Sequence, residues 1–229
     1  MALSGIDTIK EVRSRQADTL LAFSGGKDAV AAWLAIRPHF ERVIPVYMYL
    51  VPELEFVEET LTYYEQFFGE KIIRMPHPSL MRWLNGNVFR PPHQVEVLEQ
   101  AKLPEVTYED IFAAVRYEYG LDDDILYATG VRAADSPMRR IAISRYGSIS
   151  EAQLKYHPVW DMRKKDLLSL FKKHGVRLAK DYKYFGRTFD GLDIRFLKPV
   201  KEHFPGDFQK IVEWFPFVEL EIFRFEMGL

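Results

Sequence analysis

Cysteine is absent from all 229 residues, and that absence removes whole reaction classes. Without a thiol there are no disulfides, no thiolate-held zinc or iron–sulfur groups, and no protein persulfide or thiolate nucleophile. The composition fits a reducing compartment, and a cytoplasmic protein is expected. Long hydrophobic runs are missing too. The longest nearly apolar stretch, Val43 to Val51, contains Pro45 and falls far short of the roughly 20 residues a membrane span needs, so no membrane partner is expected. Neither charge sign dominates: Lys and Arg number 31 against 33 Asp and Glu, a formal net charge of −2, which gives no global attraction for nucleic acid or anionic lipid. Met1 to Ala17 is polar and mixed in charge, unlike a secretion signal or a transit peptide.

What the chain does contain is enough apolar material, 48 %, to fill the core of a substantial domain. Strand-like and helix-like segments alternate along it. Thr19–Phe23, Arg42–Tyr49, Lys71–Met75 and Asp124–Thr129 read as strands, and Asp28–Ile36, Glu55–Phe68 and Tyr108–Tyr119 as helices. Repeated βα units with short connections predict an α/β fold: a doubly wound, mostly parallel sheet with helices on both faces, Rossmann-like. Residues 76–104, rich in proline, read as an insertion or lid. Residues 198–229 read as a small α/β extension in which Asp207 to Phe215 is a helix and Val218 to Ile222 alternates like a half-exposed strand. Its phenylalanines form either a packed edge or a homodimer contact.

The segment Leu20 to Val30 carries the clearest chemistry. An apolar strand breaks on Ser24-Gly25-Gly26-Lys27-Asp28 and restarts as a helix. Adjacent glycines bring backbone N–H groups close to a ligand, and the following helix points its positive end at the same place. Ser24 adds a hydroxyl and Lys27 a mobile cation, which together suit a polyphosphate. The spacing matches neither a Walker A loop nor the G-x-G-x-x-G fingerprint.

This segment resembles the SGGxDS signature of the PP-loop ATP pyrophosphatase superfamily, with Ala29 in place of the second serine. The resemblance implies a HUP-type nucleotide-binding domain over residues 1–197, with ATP and Mg²⁺ as cofactors. It also implies cleavage between the α and β phosphates, adenylyl transfer to a second substrate, and release of pyrophosphate. A second loop, Gly130 to Arg140, packs three arginines, Asp135 and Ser136 into eleven residues directly after a strand. It is similar to the G-[IV]-R-x-x-[DE]-S-x-x-R stretch of the phosphoadenosine phosphosulfate reductase-like branch. His157-Pro158-Val159-Trp160 resembles more loosely that branch's P-[IVL]-x-x-W region. The thiols of the reductases are missing, since Leu192 and Arg195 stand in the corresponding neighbourhood, so thiol-dependent reduction is excluded.

On this reading Lys27, Asp28, Arg132 and Asp135 are the catalytic candidates. Ser24, Gly25, Gly26, Lys27, Asp28, Gly130, Arg132, Ser136, Arg139 and Arg140 bind nucleotide, and Asp28 holds the metal through Mg-ATP. Adenine is expected near Tyr47 to Tyr49. His157 reads mainly as a structural hydrogen-bonder with a functional alternative, and Trp160 as packing. The unidentified second substrate is expected to be anionic. Two alternatives stay open: a nucleotide- or sulfonucleotide-binding module without turnover, and a nucleic-acid-modifying enzyme whose Met138-Arg139-Arg140, Arg163-Lys164-Lys165 and Lys172-Lys173 follow a phosphate backbone.

Overall fold

A computed structural model of the protein describes residues 2–228. In chain order its elements are α1 (Gly5–Arg15), β1 (Thr19–Ala22), α2 (Lys27–Ile36), β2 (Val43–Tyr49), α3 (Glu55–Phe68), β3 (Ile73–Pro76), α4 (Pro78–Asn85), α5 (Pro92–Ala101) and α6 (Tyr108–Glu118). There follow β4 (Tyr127–Thr129), α7 (Pro137–Tyr146), β5 (Ile149–Ser150), β6 (Lys155–Tyr156), α8 (Lys164–His174), α9 (Asp181–Phe185), α10 (Ile194–His203), α11 (Pro205–Trp214) and α12 (Val218–Glu226). The strands form one six-stranded sheet in the order β3-β2-β1-β4-β6-β5. β1 pairs in parallel with β2 and β4, β4 in parallel with β6, and β5 antiparallel with β6. The α/β, mostly parallel expectation therefore holds. The chain moves outward from β1 to β3 and then returns to β4 on the other side, so the winding reverses between β1 and β4, the kind of point at which open α/β sheets bind ligands outside the carboxyl ends of their strands.

The register places Ala22 opposite Thr129, so the loops leaving β1 and β4 start level with each other. At the amino-terminal edge, buried polar groups tie the strands together. Gln16 Nε2 donates to the Leu126 carbonyl while its Oε1 accepts from the Leu126 N–H. Thr19 Oγ1 donates to the same carbonyl at 2.9 Å and lies 3.0 Å from the buried Tyr156 hydroxyl. With these groups satisfied, the strands bury Leu20, Leu21 and Ala128 completely. Phe68 stacks on Trp33 of α2 at 4.1 Å, and Phe112 stacks on Tyr127 at 3.8 Å.

Two compact units divide the chain. One comprises 1–47, 65–74 and 109–178, and holds β1, β4, β5, β6 and the first part of β2; the other comprises 48–64, 75–108 and 179–229. In the second unit Phe56 contacts Phe185, Phe189 and Phe204. Asp207 of α11, 3 % exposed, accepts from the N–H groups of Glu55 at 2.6 Å and Phe56 at 3.1 Å, and so caps α3 from a residue 152 positions away.

The structure corrects one reading. Val218 to Ile222 belongs to a helix, and the part of the chain after Asp193 carries helices only among the described residues. Val218 and Ile222, four residues apart, are buried, while Leu220 between them is 51 % exposed; that is a helical face, and five residues of alternation are too few to separate the two periods. The mixed polar segment before residue 17 contains α1, whose Thr8, Ile9 and Val12 are buried and whose Ser4 caps the first turn. Residues 76–104 carry α4 and α5, which fall in the second unit.

Asp207→Ala should lower unfolding stability by about 2 kcal/mol, because two backbone donors at the start of α3 lose a charged acceptor. Urea denaturation of the two proteins measures the difference, and a change within about 0.5 kcal/mol would show the cap to be replaceable by water.

Candidate functional site

The first loop is built as its residue types require. β1 ends at Ala22, and Phe23 still donates its N–H to the Val46 carbonyl at 2.9 Å. Ser24 is exposed, and its Oγ accepts the Gly26 N–H at 3.4 Å. Gly25 turns the chain with φ of +70°, a conformation side chains resist, and Gly26 caps α2 from extended backbone. The first turn of α2, which has no side-chain cap from Gly26, therefore directs the positive helix end beside an exposed hydroxyl.

The second loop lies directly on the first. A Cβ on Gly130 would stand 2.8 Å from the Ala29 nitrogen and 2.8 Å from the Asp28 carbonyl carbon, so only glycine permits this approach. The loop is anchored from below by Ala133 N–H donating to the Trp160 carbonyl at 2.8 Å. Ser136 then starts α7 without a side-chain cap, and Pro137 occupies its first turn.

An alternating run of charges joins the two loops. Lys27 Nζ lies 3.1 Å from Asp28 Oδ2, Asp28 Oδ1 lies 2.6 Å from Arg132 Nε, Arg132 Nη2 lies 2.6 Å from Asp135 Oδ1, and Asp135 Oδ2 lies 3.6 Å from Arg139 Nη1. Arg132 is its centre. At 4 % exposure it is buried, and its Nη1 also donates to the Met162 carbonyl. Its contact with Asp28 is an ion pair without an aligned hydrogen bond, since both Asp28 Oδ1 and Arg132 Nε remain buried without a hydrogen-bond partner. The nearness of opposite charges holds them there, in a setting where water screens them little.

The sequence-derived candidates thus separate into groups. Gly25, Gly26, Lys27, Asp28, Gly130, Arg132, Asp135 and Arg139 are brought together, while Arg132 is enclosed by carboxylates rather than presented to a ligand. Ser24 stands on the rim and Ser136 at the start of α7, and Arg140 is exposed with no side-chain partner among the described residues. Tyr47 is buried at 8 % exposure, which removes its face as a platform for adenine. Asp28 and Asp135 are the carboxylates in reach of a metal, each already paired with cations. Among the described residues no group of three or more His, Asp or Glu is arranged to hold an ion by itself. Such a donor set suits a magnesium ion that arrives with phosphate oxygens and takes one carboxylate from the protein.

Sequence reasoning missed one pair. Thr129, the last residue of β4, has its Oγ1 2.7 Å from Nδ1 of His157, just past β6. Burial and the nearby charges of Lys155 and Arg139 push the His157 pKa down to about 4, so its ring is neutral. Only the strand order, which sets β4 beside β6, reveals the pairing. A cavity of about 430 Å³ at the opposite, amino-terminal edge of the strands, lined by Gln16, Asp18, Arg42, Asp122 and Asp124 among others, offers no spare cation for phosphate. Its Arg42 is bound to Asp18, and its Arg15 to Glu11 and Glu151.

No protein-family model matches the chain, and no curated protein sequence matches it. Solved structures resemble it, among them the following three. The U34-tRNA thiolase NcsA from Methanococcus maripaludis has 14 % identity and a TM-score of 0.47, covering 93 % of this chain and 78 % of that one. The NH3-dependent NAD synthetase from Campylobacter jejuni has 11 % identity and a TM-score of 0.47, covering 96 % and 92 %. A predicted subunit of tRNA methyltransferase from Methanocaldococcus jannaschii has 17 % identity and a TM-score of 0.35, covering 82 % and 89 %. Among the described residues no helix is long and apolar enough to cross a membrane.

Arg132→Met should cost about 2–3 kcal/mol of stability without any ligand, because it leaves two carboxylates facing each other that keep only part of their water. Chemical denaturation at neutral pH measures this, and an unchanged midpoint would remove Arg132 from its central position. Acidification tests His157. Below its ordinary value of about 6.5 the unfolded chain takes up a proton that the folded ring refuses until about pH 4, so stability falls as pH drops through that window. His157→Gln should flatten this part of the stability profile by about 2 kcal/mol, allowing for partial solvent contact.

Proposed function

We propose that the chain is an ATP-binding enzyme of PP-loop type that splits ATP between the α and β phosphates and transfers the adenylyl group to a second, anionic substrate. The observation behind this reading is the joining of the two loops through Gly130 and the Lys27-Asp28-Arg132-Asp135-Arg139 charge run at the reversal point of the sheet. Ligands of open α/β sheets gather at that point. The sequence of the second loop, Gly130-Val131-Arg132 with Asp135-Ser136 and Arg139, favours the phosphoadenosine phosphosulfate reductase-like branch without its thiol chemistry.

The geometry supports one division of labour. Ser24, Gly25, Gly26 and the first turn of α2 supply donors for the β and γ phosphates. Lys27 is the mobile member of the charge run, and its side chain is 39 % exposed. It can leave Asp28 for phosphate, which frees the Asp28 carboxylate for a nucleotide-bound magnesium. When bound, that metal would neutralise charge developing on the departing pyrophosphate. Arg132 acts from behind the site, setting the distance between Asp28 and Asp135. Arg139 and Arg140, on the exposed start of α7, face the second substrate. An oxygen of that substrate forms the new bond to the α-phosphorus in line as the bond to the β-phosphate oxygen breaks, and pyrophosphate leaves with the electron pair.

Purified protein incubated with ATP and Mg²⁺ should yield AMP and pyrophosphate, separable by chromatography, and formation of ADP and phosphate would overturn the assignment. Lys27→Ala should abolish the rise in melting temperature that saturating ATP gives the native chain, a shift expected from ligand linkage.

A further inference from the structure

Resting on the reading above that an anionic second substrate enters at this edge of the sheet, we propose that His157, Arg139 and Lys155 form the subsite for that substrate's oxyanion, with His157 Nε2–H as the neutral donor. The glycine loop holds the nucleotide; this subsite stands at the end of β6, on the far side of β4 from it in the strand order.

The direction of one proton carries the argument. Thr129 Oγ1 accepts the Val131 N–H at 3.3 Å and lies 2.7 Å from His157 Nδ1; in the proposed tautomer the threonine hydroxyl donates its proton to that nitrogen. With Nδ1 accepting, the neutral ring carries its hydrogen on Nε2. That Nε2–H has no partner among the described residues, although the ring is half-buried. The backbone is fixed on both sides, by the His157 N–H donating to the Ser148 carbonyl at 2.9 Å and by Pro158. With the Thr129 hydroxyl donating to Nδ1, the ring keeps one tautomer and Nε2–H is left as a single donor.

The surroundings favour an anion. The charges that act on the ring are both positive, Lys155 from β6 and Arg139 from α7. Among the described residues Lys155 has no carboxylate partner, and Arg139 is joined to Asp135 only at 3.6 Å with its side chain 52 % exposed. Two cations acting on one ring beside a neutral donor, offset only by the 3.6 Å contact of Arg139 with Asp135, match a phosphate, sulfate or carboxylate oxygen. Lys155 of β6 and His157 just past it are two residues apart, the spacing at which an extended chain repeats a face. An arriving oxyanion would also reverse the field at the ring, so binding should draw a proton onto His157 and strengthen as pH falls.

The test uses the full chain with ¹⁵N-labelled histidine, the ring signals of His157 being assigned by their loss in His157→Gln. Sulfate, whose charge is constant over this range, and acetate are titrated at fixed ionic strength at pH 7.5 and pH 5.5, with and without α,β-methylene-ATP. The ring should show the Nε2–H tautomer at pH 7.5 and shift saturably with one of the two anions. Preference for sulfate assigns a tetrahedral oxyanion and preference for acetate a carboxylate. Arg139→Ala and Lys155→Ala should each weaken that binding about tenfold, and Thr129→Val about fivefold with recovery in Thr129→Ser. Lys27→Ala should leave the His157 titration in place. An Nδ1–H tautomer, ring signals unmoved by both anions, or shifts that vanish in Lys27→Ala but persist in Arg139→Ala would each overturn the subsite. Binding of an anion at His157 without binding of the ATP analogue would instead reject the nucleotide reading and leave the subsite standing.

Discussion

The close approach of Asp28 and Arg132 is the constraint on which the rest of the site depends. Asp28 belongs to the first turn of α2, and Arg132 to the loop after β4, elements separated by about a hundred residues of chain. A buried guanidinium needs compensation, and the two carboxylates that provide it come one from each loop. The interaction therefore sets the spacing of the two loops as much as it contributes stability. Gly130 makes the approach sterically feasible, since any side chain there would meet the backbone of Asp28 and Ala29.

Seen as charge, the run alternates from Lys27 to Arg139 and ends positive at both tips. Each terminal cation touches one carboxylate and keeps solvent contact, whereas the central one is enclosed. The tips are consequently the members able to exchange a protein partner for a ligand, and the centre is the member that holds shape. Arg132, which by residue type alone reads as a phosphate ligand, works at one remove from any ligand. Its charge is spent on Asp28 and Asp135.

Much of the architecture is legible in the chain because it rests on local rules. The strand at Thr19, the Gly25-Gly26 turn and the helix at Glu55 announce themselves by burial period and by glycine, and the structure has them within a residue or two. The α/β class follows from their alternation. Less legible are features that depend on which strand lies beside which. The pairing of Thr129 with His157 needs β4 next to β6, and the enclosure of Arg132 needs both loops at once. The helix at Val218 was hidden by a different cause: Leu220 and Phe223 are apolar yet exposed, so composition misstates the buried face. α1 was obscure because its buried stripe is narrow and its remaining surface is charged.

The cap that Asp207 places on α3 has a temporal meaning. Its acceptor oxygens meet donors 151 and 152 residues earlier, one of the longest loops the chain closes, and loop closure over such a span is slow to be rewarded. The second unit draws on three separated segments, the last of them starting at Ala179. During synthesis, then, the start of α3 leaves the ribosome with its amides bare and waits for most of the protein to follow before its acceptor exists. The order in which this chain can become fully ordered is written into where it keeps one aspartate.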